Sequence, residues 1–125
     1  MDKKRILLVD DEVGFTNLVK LNLEKSGRYE VRIENDPTNA LVAAREFKPD
    51  LVLLDIVMPG KDGGEVLSEM EQEPVLNDVP VVFLTATISL KGVESRDGLI
   101  RGMSFIAKPV DPKTLMRRIE EELNA

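Results

Sequence analysis

The chain has 125 residues, 42% of them apolar and 32% charged, a mix that can bury one core and is not that of a disordered chain. Its 17 Lys+Arg stand against 23 Asp+Glu, a formal net charge of −6, which disfavours a direct grip on nucleic acid or on an anionic membrane. With no Cys and no His, disulfides, thiolate chemistry, a Ser-His-Asp triad, imidazole or thiolate metal ligands and a phosphohistidine on this chain are all excluded.

The N-terminus, Met1 to Arg5, leads into only four apolar residues, too few for the apolar region of a signal peptide. No apolar run approaches the roughly 20 residues a membrane helix needs. The expectation is a single domain over 1–125, acting in the cytoplasm, without membrane or direct nucleic-acid partners.

Ile6-Leu7-Leu8-Val9 is a compact apolar run that stops at Asp10-Asp11. Runs without polar alternation suit strands covered on both faces, as in parallel sheets. Phe15, Leu18, Val19 and Leu23 then fall at helical spacing, with Gly27 placed as the residue that ends a helix. Tyr29 to Ile33 alternates, which predicts an edge strand with one wet face. Asp36-Pro37 reads as an N-cap with proline at the first helical position, followed by Ala40, Leu41, Ala44 and Phe47 on one face.

Leu51 to Leu54 ends at Asp55 in the same form as the first run. Val66, Leu67 and Met70 predict a short helix between Gly64 and Gln72. Val81 to Leu84 follows Pro80 and ends at Thr85. The stretch from Leu90 to Met103 is the weakest helix, because Gly92, Gly98 and Gly102 each cost roughly 1 kcal/mol. Ser104 to Ala107 is a short fifth strand ended by Lys108-Pro109. Asp111-Pro112 opens a last helix with Leu115, Met116, Ile119 and Leu123 on one face. The pattern predicts α/β architecture, (βα)5, a parallel sheet with helices on both faces.

Three strand runs end in chemistry: Asp10-Asp11, Asp55 and Thr85, and a fourth carries Lys108. In open α/β sheets the ligand crevice lies at the carboxyl ends of the strands. If the first and third strands are neighbours, their ends lie roughly 5 Å apart and the three aspartates share a site. At an effective dielectric near 20, two carboxylates about 5 Å apart repel by about 3 kcal/mol. Three such pairs approach ~10 kcal/mol, comparable with the ~5–15 kcal/mol stability of a domain. Such a cluster calls for a cation, and all-oxygen ligation favours Mg²⁺, Mn²⁺ or Ca²⁺, Mg²⁺ in particular.

Each residue alone also has a plainer reading. Asp11 reads as an N-cap, Asp55 as a turn residue before Met58-Pro59-Gly60, Thr85 as a strand-end hydroxyl, Lys108 as a solvated lysine and Phe105 as core. Their joint placement on strand ends is what these readings do not explain.

Together, the residues resemble a response-regulator receiver domain of two-component signalling. The resemblance rests on Val9-Asp10-Asp11-Glu12, on Asp55 to Gly60 with Gly63 and Gly64, on Thr85-Ala86-Thr87, and on Phe105 with Lys108-Pro109. Their order and spacing cover essentially the whole chain. The resemblance implies a flavodoxin-like sheet of order 2-1-3-4-5. It implies Asp55 as the phosphoacceptor, charged by a sensor histidine kinase or a histidine phosphotransfer protein. It implies Mg²⁺ held by Asp10, Asp11, Asp55 and the backbone carbonyl of Val57. Lys108, Thr85 and a backbone N–H near Ala86 would meet the phosphoryl oxygens.

The same resemblance implies a switch in which Thr85 moves toward the phosphate and Phe105 fills the space. This would remodel the face made by the fourth helix, fifth strand and fifth helix, where a downstream protein binds. It also implies a cis Lys108-Pro109 bond. Two departures stand out: the glycine-rich fourth helix, and apolar Val57 two residues past the acceptor. Haloacid-dehalogenase-type phosphatases need a second carboxylate where Val57 stands, and a flavodoxin needs a phosphate loop where Asp10-Asp11-Glu12 stands. The remaining alternative is a receiver-like interaction module that works without phosphorylation.

Overall fold

The computed structural model describes residues 2–86, 104–108 and 111–124, with nothing taken from the side chains of Thr85 and Ala86. Five strands, β1 (Lys4–Val9), β2 (Tyr29–Glu34), β3 (Leu51–Asp55), β4 (Val81–Ala86) and β5 (Ser104–Lys108), form one sheet in the order β2-β1-β3-β4-β5. All four neighbouring pairs are parallel. This is the flavodoxin-like order that the resemblance to receiver domains implied. The described helices are α1 (Val13–Lys25), α2 (Ala40–Phe47), α3 (Gly63–Glu71) and a C-terminal helix (Pro112–Leu123). The predicted helix within 90–103 and the Lys108-Pro109 peptide bond lie outside the described residues.

The uninterrupted apolar runs are explained by two cores. Ile6, Leu8, Leu51, Leu53, Val82, Leu84 and Ile106 face α1 and the C-terminal helix. Leu7, Val9, Val52, Leu54 and Phe83 face α2 and α3. Every residue of Ile6–Val9 and Leu51–Leu54 is wholly buried. β2 takes the edge, with Tyr29 and Val31 buried and Glu30 exposed.

The helix ends follow local chemistry. Gly27 has φ +81°, and its N–H bonds to the Glu24 carbonyl at 3.0 Å, closing α1 as expected. Asp62 and Glu65 form a reciprocal capping box at the start of α3, a D-x-x-E signal. Asp111 caps the C-terminal helix through the Thr114 N–H, with Pro112 at its first turn. Asp36 also caps, but its Thr38 N–H bond opens a 3-10 turn at Pro37–Asn39, and α2 begins only at Ala40. α2 stops at Lys48, which adopts φ 54° without glycine's freedom.

Candidate functional site

β1 and β3 are adjacent, with Val9 opposite Leu54, so the residues that follow emerge side by side. Carboxylate oxygens of Asp10, Asp11 and Asp55 all lie within 4.8 Å of one another. Asp10 is 0% and Asp55 6% exposed; Asp11 is the most open of the three. The plain reading of Asp11 as a helix cap fails, because the residue at that position is Glu12, and its side chain caps nothing. Instead, Asp10 Oδ1 accepts the Glu12 N–H at 2.9 Å.

Lys108, at the end of β5, reaches over the cluster. Its Nζ lies 2.7 Å from Asp10 Oδ2, 2.7 Å from Glu12 Oε1 and 3.8 Å from Asp55 Oδ2. It also sits 4.5 Å from the centre of the Phe15 ring. Its side chain is 12% exposed, so it is not the solvated lysine of the plain reading. Glu12 and Phe15 are therefore parts of the site that the sequence reading did not single out. Both sit on the turn into α1, and a charged residue beside the acid pair was the available signal.

The electrostatics follow from this crowding. Burial, then the charge of Asp10, pushes the Asp55 carboxyl up to about 6, against the pull of Lys108. A backbone hydrogen bond from Val57 pulls in the same direction as Lys108. Burial raises Asp10 as well, offset by Lys108 and the Glu12 N–H. Burial alone would lower the Lys108 ammonium, but its bonds to Asp10 and Glu12 outweigh this and raise it.

The donor set fits a hard divalent cation. Three carboxylates converge with no nitrogen or sulfur ligand. Apart from the Lys108 ammonium, buried Asp10 Oδ2 meets no hydrogen-bond donor among the described residues.

The remaining expected residues take these places. The Val57 side chain, two residues past Asp55, is 69% exposed. Thr85 follows Leu84, which pairs with Asp55, and Ala86 pairs with Lys108, so β4 delivers both backbones to the same end of the sheet. The side chain of Thr85 lies outside the described residues. Phe105 is half-buried against the core under α2 and α3. Gly63 lies against the end of β3: its N–H bonds to the Ile56 carbonyl at 2.8 Å, and an added Cβ would overlap the Asp55 carbonyl oxygen.

Residues 6–120 match the family described as response regulator receiver domain. The chain belongs to that family. It is 36% identical over 122 residues to the DNA-binding response regulator MtrA of Mycolicibacterium paratuberculosis, covering 97% of this chain and 52% of that protein. The receiver domain thus spans about half the length of the curated relatives it matches. Among solved structures, the receiver domain of NtrX from Brucella abortus is 34% identical with TM-score 0.82, covering 96% of this chain and 98% of that one. The receiver domain of sensor histidine kinase PA1611 from Pseudomonas aeruginosa is 27% identical with TM-score 0.86, covering 99% and 100%. That structure carries a magnesium ion in its active-site cleft.

Because MtrA is named as DNA-binding, the expectation of no direct nucleic-acid partner gains no support from these relatives. No helix among the described residues is long and apolar enough to cross a membrane.

Proposed function

We propose that this receiver domain is a phosphorylation-dependent switch in the cytoplasm, with Asp55 as phosphoacceptor. The observation that carries the reading is the convergence of Asp10, Asp11 and Asp55 beneath the Lys108 ammonium. An Asp55 oxygen attacks the phosphorus of a phosphohistidine on a sensor histidine kinase or histidine phosphotransfer protein. The P–N bond breaks, its electron pair returns to the imidazole nitrogen, and an aspartyl phosphate forms. With its pKa near 6, Asp55 is mostly ionised at neutral pH and more basic than an ordinary carboxylate.

Lys108 balances the phosphoryl charge, and Thr85 and the Ala86 N–H bind its remaining oxygens. Asp10, Asp11, Asp55 and the Val57 carbonyl would hold Mg²⁺, which when bound would supply positive charge at the transferring group. The phosphoryl group brings a charge near −2 and new acceptor oxygens. Thr85 and Phe105 pass that change to the face made by the predicted fourth helix, β5 and the C-terminal helix, where a downstream protein docks.

The test is incubation with acetyl phosphate and Mg²⁺, read by intact mass. A gain of one phosphoryl group, lost in Asp55→Asn, is the expected result. No gain in the wild type would leave the phosphorylation-independent interaction module as the better reading.

A further inference from the structure

The last backbone bond between β1 and β2 runs from the Asp10 N–H to the Glu34 carbonyl, at 3.2 Å. Beyond it the ladder stops, and among the described residues the Asp10 carbonyl meets no backbone donor. The side-chain amide of Asn35 takes that place. Its Nδ2 donates to the Asp10 carbonyl at 2.8 Å and to Thr16 Oγ1 at 3.0 Å. Thr16 is wholly buried and donates its own hydroxyl to the Val13 carbonyl at 3.0 Å. The Thr16 N–H bonds to the Glu12 carbonyl at 3.0 Å.

One amide group therefore ties the end of β2 to both ends of the turn that carries Asp10, Asp11 and Glu12. Its two protons match the two acceptors, which no carboxylate or aliphatic side chain of similar size can do. Asp11, the most open of the three aspartates, sits on this turn, and its carboxylate lies within 4.8 Å of those of Asp10 and Asp55.

We infer that Asn35 is a positioning residue for the acid cluster, setting its affinity for a divalent cation by fixing the Asp10–Thr16 turn. The inference rests on the reading that Asp10, Asp11 and Asp55 hold the cation. Groups that orient metal ligands from behind typically alter affinity by 10–100-fold.

The experiment is calorimetric titration of the full chain with MgCl₂ at pH 7.5. The proteins are wild type, Asn35→Ala, the isosteric Asn35→Asp and, as control, Asn39→Ala. Asn39 bonds the Glu34 side chain at 2.8 Å and is not among the groups that hold the Asp10–Thr16 turn. Roughly 10-fold weaker binding in both Asn35 variants, with the control unchanged, supports the inference. If Asn35→Ala does not fold, Asn35→Asp decides, since it keeps the shape and removes both donors.

Supporting results include an unchanged phosphorylation endpoint once Mg²⁺ is raised to saturate the variant. Equal affinity in wild type and Asn35 variants overturns the role of Asn35 alone. Absence of Mg²⁺ binding in the wild type overturns the cation-site reading itself.

Discussion

Lys108 Nζ is held 2.7 Å from Asp10 and 3.8 Å from Asp55, so this cation over the cluster leans toward the residue that is not the proposed acceptor. Burial first, and then the charge of Asp10, push the Asp55 pKa up to about 6 against the pull of Lys108. The ordinary value is 3.8, so folding takes up protons between about pH 4 and pH 6. Below that window the site costs nothing in stability; above it the full penalty, up to about 3 kcal/mol, is present. Asp55→Asn is expected to raise the metal-free melting temperature at pH 7.5 by on the order of 5 °C. The gain should shrink toward zero at pH 4. Differential scanning calorimetry at the two pH values checks it, and equal melting at pH 7.5 counts against a crowded site.

Mg²⁺ should stabilise the wild type for the same reason. At ten times its dissociation constant, a ligand of the folded state adds about 1.4 kcal/mol, a few degrees of melting temperature. The shift is expected at pH 7.5 and to diminish at pH 5, where Asp55 is mostly protonated. It should be largely lost in Asp55→Asn.

Val57 presents an exposed apolar side chain two residues past the proposed acceptor, with no polar atom to orient an attacking water. Val57→Asn is expected to speed dephosphorylation several-fold, as a polar side chain can orient that water. The measurement is loss of phosphoprotein after removal of donor. An unchanged rate would discard this account of Val57.

Two glycines should respond oppositely to alanine. At Gly63 a Cβ would overlap the Asp55 carbonyl and lie 3.0 Å from Ile56 Cα, both backbone atoms that cannot swing away. Gly63→Ala is expected to cost about 1–3 kcal/mol and to impair phosphorylation, because the displaced backbone is that of the acceptor. Gly14 in α1 has nothing within 4 Å of its added Cβ. Gly14→Ala should be neutral or stabilising by up to about 1 kcal/mol, measured by urea unfolding.

Tyr29 is the single tyrosine, and the chain has no Trp, so its ionisation can be read directly by ultraviolet absorbance. It is wholly buried, with its hydroxyl bonded to Glu120 of the C-terminal helix. Burial, then the Glu120 bond, pushes it up to about 12 from 10.0. Its contribution to stability is fully present below about pH 10 and is lost as pH rises toward 12. Tyr29→Phe should remove this alkaline loss and cost about 1 kcal/mol at neutral pH. A titration midpoint near 10 would contradict the buried bond.

The strands and the acids at their ends were legible in short-range patterns, apolar runs of strand length stopping at acids, whereas the sheet order that brings the three aspartates into one crevice was implied by the resemblance to receiver domains. The capped openings at Asp36 and Asp111 were legible too, although the 3-10 turn at Pro37–Asn39 was not, since the same cap serves either helix. What stayed hidden depends on partners far apart in the chain. Lys108 with Glu12 and Asn35 with Asp10 are contacts between different strands' loops, and no local spacing announces them. Leu18 also shows the limit of periodicity: it falls on the apolar spacing of α1 yet is 57% exposed.

The parallel sheet places β1 between β2 and β3, so the first of these five strands in chain order is an interior one. Ile6–Val9 obtains its second hydrogen-bonded neighbour only after Leu51–Leu54 has been synthesised. During that interval a fully apolar stretch waits with an open edge, which makes the nascent chain a natural client for chaperones that shield such segments.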